Sequence, residues 1–333
     1  MQETTSKFIP LPAYENFEAT TQIMISEILR RNLPLEIIDA DNNLISTCYK
    51  GKEYLIHEGT ISDANSLIAY WISNDKWMSR QILLRKGIRQ AKGLLLQNED
   101  PLTKALQIPF PSVVKPADTD HGIAVSTNIT TTEDLEKSVA YARKFSHRLI
   151  VEEFFPGQEY RFLVIDGQVR AIAYREPANI TGDGIHSIQQ LIATKNIGRG
   201  EDYRYPLLKI KIDEEVHRHL TAQSLRETAV LPAQQKVYLR KNSNLSTGGD
   251  SIDMTDAIPD FYKKKAVEAA NAAGLRLAGI DMIIQNFNQR PSADNYIIIE
   301  LNAPAMLSMH DFPYIGKNRH VERYVLDCIF NGK

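Results

Sequence analysis

Only Cys48 and Cys328 occur in 333 residues, too few for a disulfide framework or a CxxC-type metal site, and this usage fits a reducing cytoplasm. No apolar run approaches the ~20 residues of a membrane span, and the opening stretch MQETTSKFIP lacks the apolar segment of a signal peptide. A cytoplasmic protein is therefore expected. Charge of one sign is missing as well. The 39 basic side chains stand against 41 acidic ones, a net charge of -2, which gives no case for a nucleic acid or a membrane surface as partner. Neither GxxxxGK[ST] nor GxGxxG occurs, so the two common glycine-rich phosphate loops are excluded. No Ser-His-Asp or Cys-His set suggests covalent nucleophilic catalysis.

What is present is an ordinary globular composition, 43% hydrophobic and 24% charged, on a chain too long for a single core. Two or three sub-domains are expected. Helical periodicity over 17–31 is stopped by Asn32 and Pro34, and strands follow at 35–39, 44–49 and 53–57, so the first ~60 residues read as a small α/β unit. Asn74-Asp75-Lys76 opens a second helix that Gly87 ends. Thr131 caps a third, with Leu135, Val139 and Ala142 on its buried face. Strands at 148–153 and 159–166 lead into the Asp166-Gly167 dipeptide, the strongest hairpin signal here. Helices near 187–195 and 213–223, a strand at 235–240 and an alanine-rich helix at 261–273 complete the pattern.

The chain is organised around residues 275–302, two strong strands (277–284 and 296–301) joined by a polar hairpin. Asp281 interrupts an apolar run, and Glu300 and Asn302 close the second strand on one face, because strand side chains alternate. A buried carboxylate needs a partner or a cation. Two hard oxygen donors on one face, with Asp281 from a neighbouring strand, suit Mg²⁺ carrying nucleotide phosphates. On this segment alone, strand-end side chains facing water remain the alternative.

Five other places bear on the choice. Lys76 sits at a helix start, where the dipole disfavours a cation unless an anion is bound there, a solvated lysine being the alternative. Lys115 lies inside the apolar strand 110–116, either snorkelling or aimed at an anion, before a polar loop at 117–125. Glu152 and Glu153 close a strand before Pro156-Gly157, which suits either a hinge gripping adenine and ribose or a salt-bridged turn. Finally, 175–186 reads as a mobile polar loop, and 240–250 packs a cation, amides, hydroxyls and glycines as carboxylate or phosphate recognition requires.

Together these residues carry a resemblance. VVKP at 113–116, the loop 117–125, VEEFFPGQEYR at 151–161 and the Asp281…Glu300-x-Asn302 set resemble the ATP-grasp superfamily. REPANITGDGIHSI (175–188) and LRKNSNLSTGGDSIDMTD (239–256) are most similar to the glutathione-synthetase module of bifunctional glutamate–cysteine ligase/glutathione synthetases and to the ATP-grasp module of cyanophycin synthetase. The likeness covers about residues 20–310. So short a chain is expected to hold no preceding glutamate–cysteine ligase domain.

The resemblance implies an α+β ATP-grasp fold: a small N-terminal α/β domain over 1–88, a lid subdomain over 89–155 and a C-terminal subdomain over 156–333. It assigns Lys76 and Lys115 to the α- and β-phosphates, the loop 118–125 with His121 and Gly122 to phosphate closure, and Glu152, Glu153 and Phe155 to adenine, with Glu159 on ribose. Asp281, Glu300 and Asn302 would bind two Mg²⁺ ions, Mn²⁺ being the alternative ion. Arg240, Asn242 and Asn244 would steady an acyl phosphate, and Arg161, Arg175 and Asn179 would face the acid substrate. The implied reaction is ATP-dependent amide formation between small-molecule acid and amine substrates, glutathione-synthetase-like with γ-glutamylcysteine and glycine. A cyanophycin-like or natural-product ligase and a nucleotide-binding regulator without turnover are the alternatives, and a homodimer is the implied assembly. Two departures stand out: Ala124 replaces a usual glycine, and Pro304-Ala305 replaces a Pro-Gly turn.

Overall fold

The computed structural model describes residues 7–119 and 122–332. The chain divides into two compact units, each assembled from separate stretches. One takes the chain up to Ala64, residues 170–257 and everything from Met306; the other takes Asn65–Val169 and Ile258–Ala305. No helix among the described residues is long and apolar enough to cross a membrane.

In chain order, α1 (Ala19–Arg30) buries Ile23, Met24, Ile25 and Ile28 and is followed by the antiparallel meander β1 (Leu35–Asp39), β2 (Leu44–Tyr49) and β3 (Lys52–His57). Next come α2 (Leu67–Asn74) and α3 (Lys76–Arg85). Asp75 separates them and caps the second, its carboxylate accepting the Met78 amide at 2.8 Å, while Gly87 leaves the helix at φ +70°. β4 (Gly93–Gln97), the short α4 (Leu102–Ala105), β5 (Ser112–Pro116), β6 (Ser126–Ile129), α5 (Thr132–Ala142) and β7 (Arg148–Glu153) then build a four-stranded antiparallel sheet in the order β4-β7-β5-β6. Thr131 caps α5 as expected. The helix lays Leu135 and Val139 against Leu96, Val114, Leu149 and Val151 of the sheet.

β8 (Gln158–Ile165) runs to Asp166 and Gly167, both at positive φ, and β9 (Gln168–Glu176) follows. The stretch expected to be a mobile loop is more ordered than its composition suggests, because β10 (Asn179–Thr181) lies within it. After α6 (Ile188–Lys195) and α7 (Glu214–Ala222), β11 (Lys236–Tyr238) pairs antiparallel with β10 around Ile180 and Val237. β12 (Asp250–Asp253) pairs with β9. α8 (Asp260–Ala272) packs across β8, β13 (Leu277–Ile284) and β14 (Tyr296–Asn302). The short α9 (Ser308–Asp311) and α10 (Glu322–Phe330), which packs on α1, end the chain.

In the second unit β13 is flanked by β8 and β14, both antiparallel. The β13/β14 register runs from Ile284 opposite Tyr296 to Met282 opposite Ile298, then jumps to Asp281 opposite Glu300. Ile299 is the extra residue of a β-bulge, a device that re-aims the side chains beyond it.

Candidate active site

Because cross-strand partners share a face, Arg161 on β8, Asp281 on β13 and Glu300 on β14 stand in one row across three strands. Asp281 is 0% exposed. Arg161 grips it with both Nε and Nη2, the second at 2.9 Å, a bidentate charge-assisted pair. Burial pulls the guanidinium pKa down, but the Asp281 charge and hydrogen bond outweigh it and the net shift is upward. Gly279 makes room for this pair, since a Cβ there would lie 2.7 Å from Arg161 Cδ. Asn302, opposite Gly279, turns its amide nitrogen to Asp281 Oδ2 at 3.4 Å. The three residues expected to hold metal are thus together, and Arg161 has its guanidinium on one of them.

Glu300 meets a helix rather than another strand. Lys76, the first residue of α3, places Nζ 2.8 Å from Glu300 Oε1 and 2.5 Å from the Thr119 carbonyl, while its own amide donates to Ala117. The cation at a helix start is thereby matched by a carboxylate. Lys115 has the same solution, its Nζ lying 2.5 Å from Glu152 Oε1. Arg80 approaches the other Glu152 oxygen at 3.5 Å and also donates to the Ala91 carbonyl. Burial lowers the Arg80 pKa further than the Glu152 charge raises it. Lys76, Arg80, Lys115 and Glu152 line one pocket with Ile150 and Ile298, and its free space is about 10 Å³, the room of roughly one water. The two lysines assigned to phosphates therefore converge, and sequence reasoning missed Arg80 between them. Its position on α3, one turn after Lys76, was the available signal.

Glu152, assigned to adenine, holds its side chain between Lys115 and Arg80. The Glu153 amide donates to the Lys92 carbonyl at 2.8 Å, and Phe155 lies under the Arg89 guanidinium, 5.4 Å from centroid to Cζ. Glu159 stands on β8 opposite Ile283. Gly122 adopts φ +72° and Ala124 φ +57°; His121 lies outside the described residues.

The first unit carries the remaining assignments. Arg240 is buried in a fork between Asp213 and Glu215 at the start of α7, with Glu215 at 2.6 Å. Burial favours the neutral Asp213 carboxyl, but Arg240 and the Val216 amide overcome it and hold its pKa below the ordinary range. Asn242 accepts the Thr247 hydroxyl at 2.7 Å, and the Asn244 carbonyl receives the amides of Thr247 and Gly249. Arg175 lies on β9 opposite Ser251. Asn179 is buried within a charged network that sequence reasoning did not find. Its amide nitrogen reaches Glu176 and Asp250 at 3.2 Å each, and Lys195 bonds both its oxygens. Asp250 also takes Lys195 at 2.6 Å and Arg199, whose Nη1 donates to the Gly248 carbonyl at 3.1 Å. Burial pushes the Lys195 ammonium pKa down despite Asp250. The network ties the loop 240–249 to β10.

Comparison with known proteins places this geometry. Residues 73–183 match the model of a RimK-like ATP-grasp domain, and residues 15–68 match an ATP-grasp-like domain. A crystal structure of a bifunctional glutathione synthetase from Pasteurella multocida superposes with a TM-score of 0.78 at 31% identity, covering 97% of this chain and 45% of that one. The chain carries a RimK-like ATP-grasp domain and has the ATP-grasp fold. The glutathione biosynthesis bifunctional protein GshAB of Clostridium perfringens is 37% identical over 98% of this ATP-grasp chain, and that of Desulfotalea psychrophila 35% over 94%. The chain spans 43% and 41% of their lengths, less than half of either. A D-alanine–D-alanine ligase from Bacillus anthracis shares the fold at 14% identity and a TM-score of 0.51. The α+β ATP-grasp fold read from the motifs is thus the fold observed.

ATP-grasp proteins use ATP and a divalent metal. The residues present fit that pair. Glu300 and Asn302 are half-buried hard-oxygen donors on one strand face. Among the described residues no cluster of three or more His, Cys, Asp or Glu forms a protein-only cage. Such a donor set suits an ion that keeps waters and shares phosphate oxygens, as Mg²⁺ does.

Proposed function

We propose that this chain is an ATP-dependent carboxylate–amine ligase that joins γ-glutamylcysteine to glycine through an acyl phosphate. The observation carrying the proposal is the 2.8 Å approach of Lys76 to Glu300, which brings the phosphate-type lysines and the metal-type carboxylates to one locus. The 37% identity with a protein of glutathione biosynthesis supports the choice of substrates.

On this reading the substrate carboxylate oxygen attacks the γ-phosphorus, ADP leaves, and the amine nitrogen then displaces inorganic phosphate from the acyl carbon, losing a proton as the C–N bond forms. Phosphoryl transfer asks the protein for alignment and charge neutralisation more than for covalent chemistry. Lys76, Lys115 and Arg80 supply positive charge along the phosphates. Asp281, Glu300 and Asn302 hold a pair of Mg²⁺ ions, which when bound neutralise charge on the transferring phosphoryl oxygens. Asp281, tied to Arg161, sets the charge behind Glu300. Arg240, Asn242 and Asn244 steady the acyl phosphate, and Arg175 and Asn179 face the acid. The acyl phosphate hydrolyses in water, so the reaction requires a lid, the role the resemblance assigns to 118–125. The protein incubated with Mg²⁺, ATP, γ-glutamylcysteine and glycine should yield ADP and glutathione in equal amounts by mass spectrometry. ADP produced only with other amino acids would move the enzyme to the cyanophycin-like alternative, and none with any acid and amine would refute turnover.

A further inference from the structure

Charge counting separates the two lysines of the pocket. Around Glu152 stand both Lys115 and Arg80, two cations on one carboxylate. When Lys115 turns to a phosphate, Glu152 keeps Arg80, and the trio's surplus positive charge already favours an anion. Glu300 is different. The cation on it is Lys76, and the row behind it, Arg161 with Asp281, is already matched charge for charge in a bidentate pair. Lys76, Arg161, Asp281 and Glu300 therefore sum to zero. They sum to one negative charge as soon as the Lys76 ammonium is drawn elsewhere, leaving the half-buried Glu300 beside the buried Asp281. Leaving that carboxylate without its ion pair is costly, because Glu300 is only partly exposed and Arg161, the other cation near it, is already committed to Asp281.

We propose that Lys76 is the resident counter-ion of the metal site: its ammonium neutralises Glu300 until a divalent cation does, so the phosphates recruit Lys76 only as metal takes its place. This rests on the nucleotide reading above and adds a direction to it. Metal and nucleotide become obligate partners at Lys76 and Glu300, and not at Lys115 and Glu152. The coupling is reciprocal, since two ligands that bias one exchange bias each other equally. It also reaches the backbone: Lys76 Nζ donates to the Thr119 carbonyl, so the exchange gives up that contact.

The test is equilibrium binding of a non-hydrolysable ATP analogue by calorimetry, with Mg²⁺ or with EDTA. Coupled sites typically differ by roughly 5–150-fold. Glu300→Gln, which frees Lys76 from its carboxylate, should bind the analogue in EDTA about tenfold tighter than wild type, and the gain from Mg²⁺ should shrink. Loss of a negative charge beside the phosphates favours an anion by itself, so the gain from Glu300→Gln must also vanish in the Lys76→Met background; no gain in EDTA, or a gain that persists in that background, would overturn the proposal. Glu152→Gln should keep the wild-type ratio between the two conditions; a ratio that collapses as in Glu300→Gln would place the coupling elsewhere. If Glu300→Gln fails to fold, Lys76→Met carries the test. Without its counter-ion, Glu300 should bind Mn²⁺ in the absence of nucleotide about tenfold tighter than wild type, read by electron paramagnetic resonance, and unchanged Mn²⁺ affinity sinks the idea. Wild-type binding that is equal with and without metal refutes the exchange alone. No analogue binding under either condition refutes the nucleotide site itself.

Discussion

Replacing Arg161 with Met should be the most damaging single change on the β8-β13-β14 row. Asp281 is 0% exposed and loses both guanidinium hydrogen bonds, and the Asn302 amide at 3.4 Å is longer than a charge-assisted bond. Stranding one member of a buried ion pair costs about 3–5 kcal/mol. Asp281→Leu strands the guanidinium instead, yet Arg161 still feels the Glu300 charge, so its cost should fall at or below the lower end of that range. The double variant, Arg161→Met with Asp281→Leu, removes both charges at once and should recover most of the loss, ending within about 1–2 kcal/mol of wild type. Both tryptophans, Trp71 and Trp77, lie in the unit that holds this row, so their fluorescence in urea reports its unfolding directly. A double variant as unstable as the sum of the two single ones would show that the pair carries no coupling energy.

Three further outcomes are expected. Gly279→Ala places a Cβ 2.7 Å from Arg161 Cδ and should push the guanidinium off Asp281, costing about 2 kcal/mol in the same assay, with no further loss when combined with Arg161→Met. Burial raises the Tyr160 pKa from 10.0 to about 12. A group whose folded pKa lies above its unfolded value stabilises fully below the unfolded one, so its contribution is intact below pH 10. It is lost as pH climbs from 10 through 12, roughly 2–3 kcal/mol in all, and urea titrations of Tyr160→Phe should lack that decline. Ala124→Gly relieves a left-handed backbone at φ +57°, worth about 1–2 kcal/mol, against the ~0.8 kcal/mol of a buried methyl. A small rise in melting temperature should follow, and a fall would mean that the methyl matters more than the strain.

What the sequence made legible was whatever local chemistry determines. Thr131 and Gly87 mark helix ends because orphaned backbone groups need them, and Asp166-Gly167 marks a turn because both residues tolerate positive φ. The alternation that put Glu300 and Asn302 on one face is equally local. Pairing between distant strands was not legible. That Arg161 lands on Asp281 follows from a register set by whole strands, so a residue expected near substrate has its guanidinium on a carboxylate. Lys195 ends α6 and Arg199 follows just beyond it, whereas Asp250 opens β12 some fifty residues on, a pairing no local spacing rule reaches. β10 was hidden for a similar reason, since its short polar sequence is held in place by β11 and the Asn179 network rather than by propensity.

One inserted residue, Ile299, lets a single strand serve two masters. Upstream of it the side chains answer to the hydrophobic interior; downstream they answer to Asp281 and Gly279. Were the ladder to run regularly through Ile299 instead, that residue would stand opposite Asp281 and Glu300 opposite Ile280, so the chemistry would meet an aliphatic group.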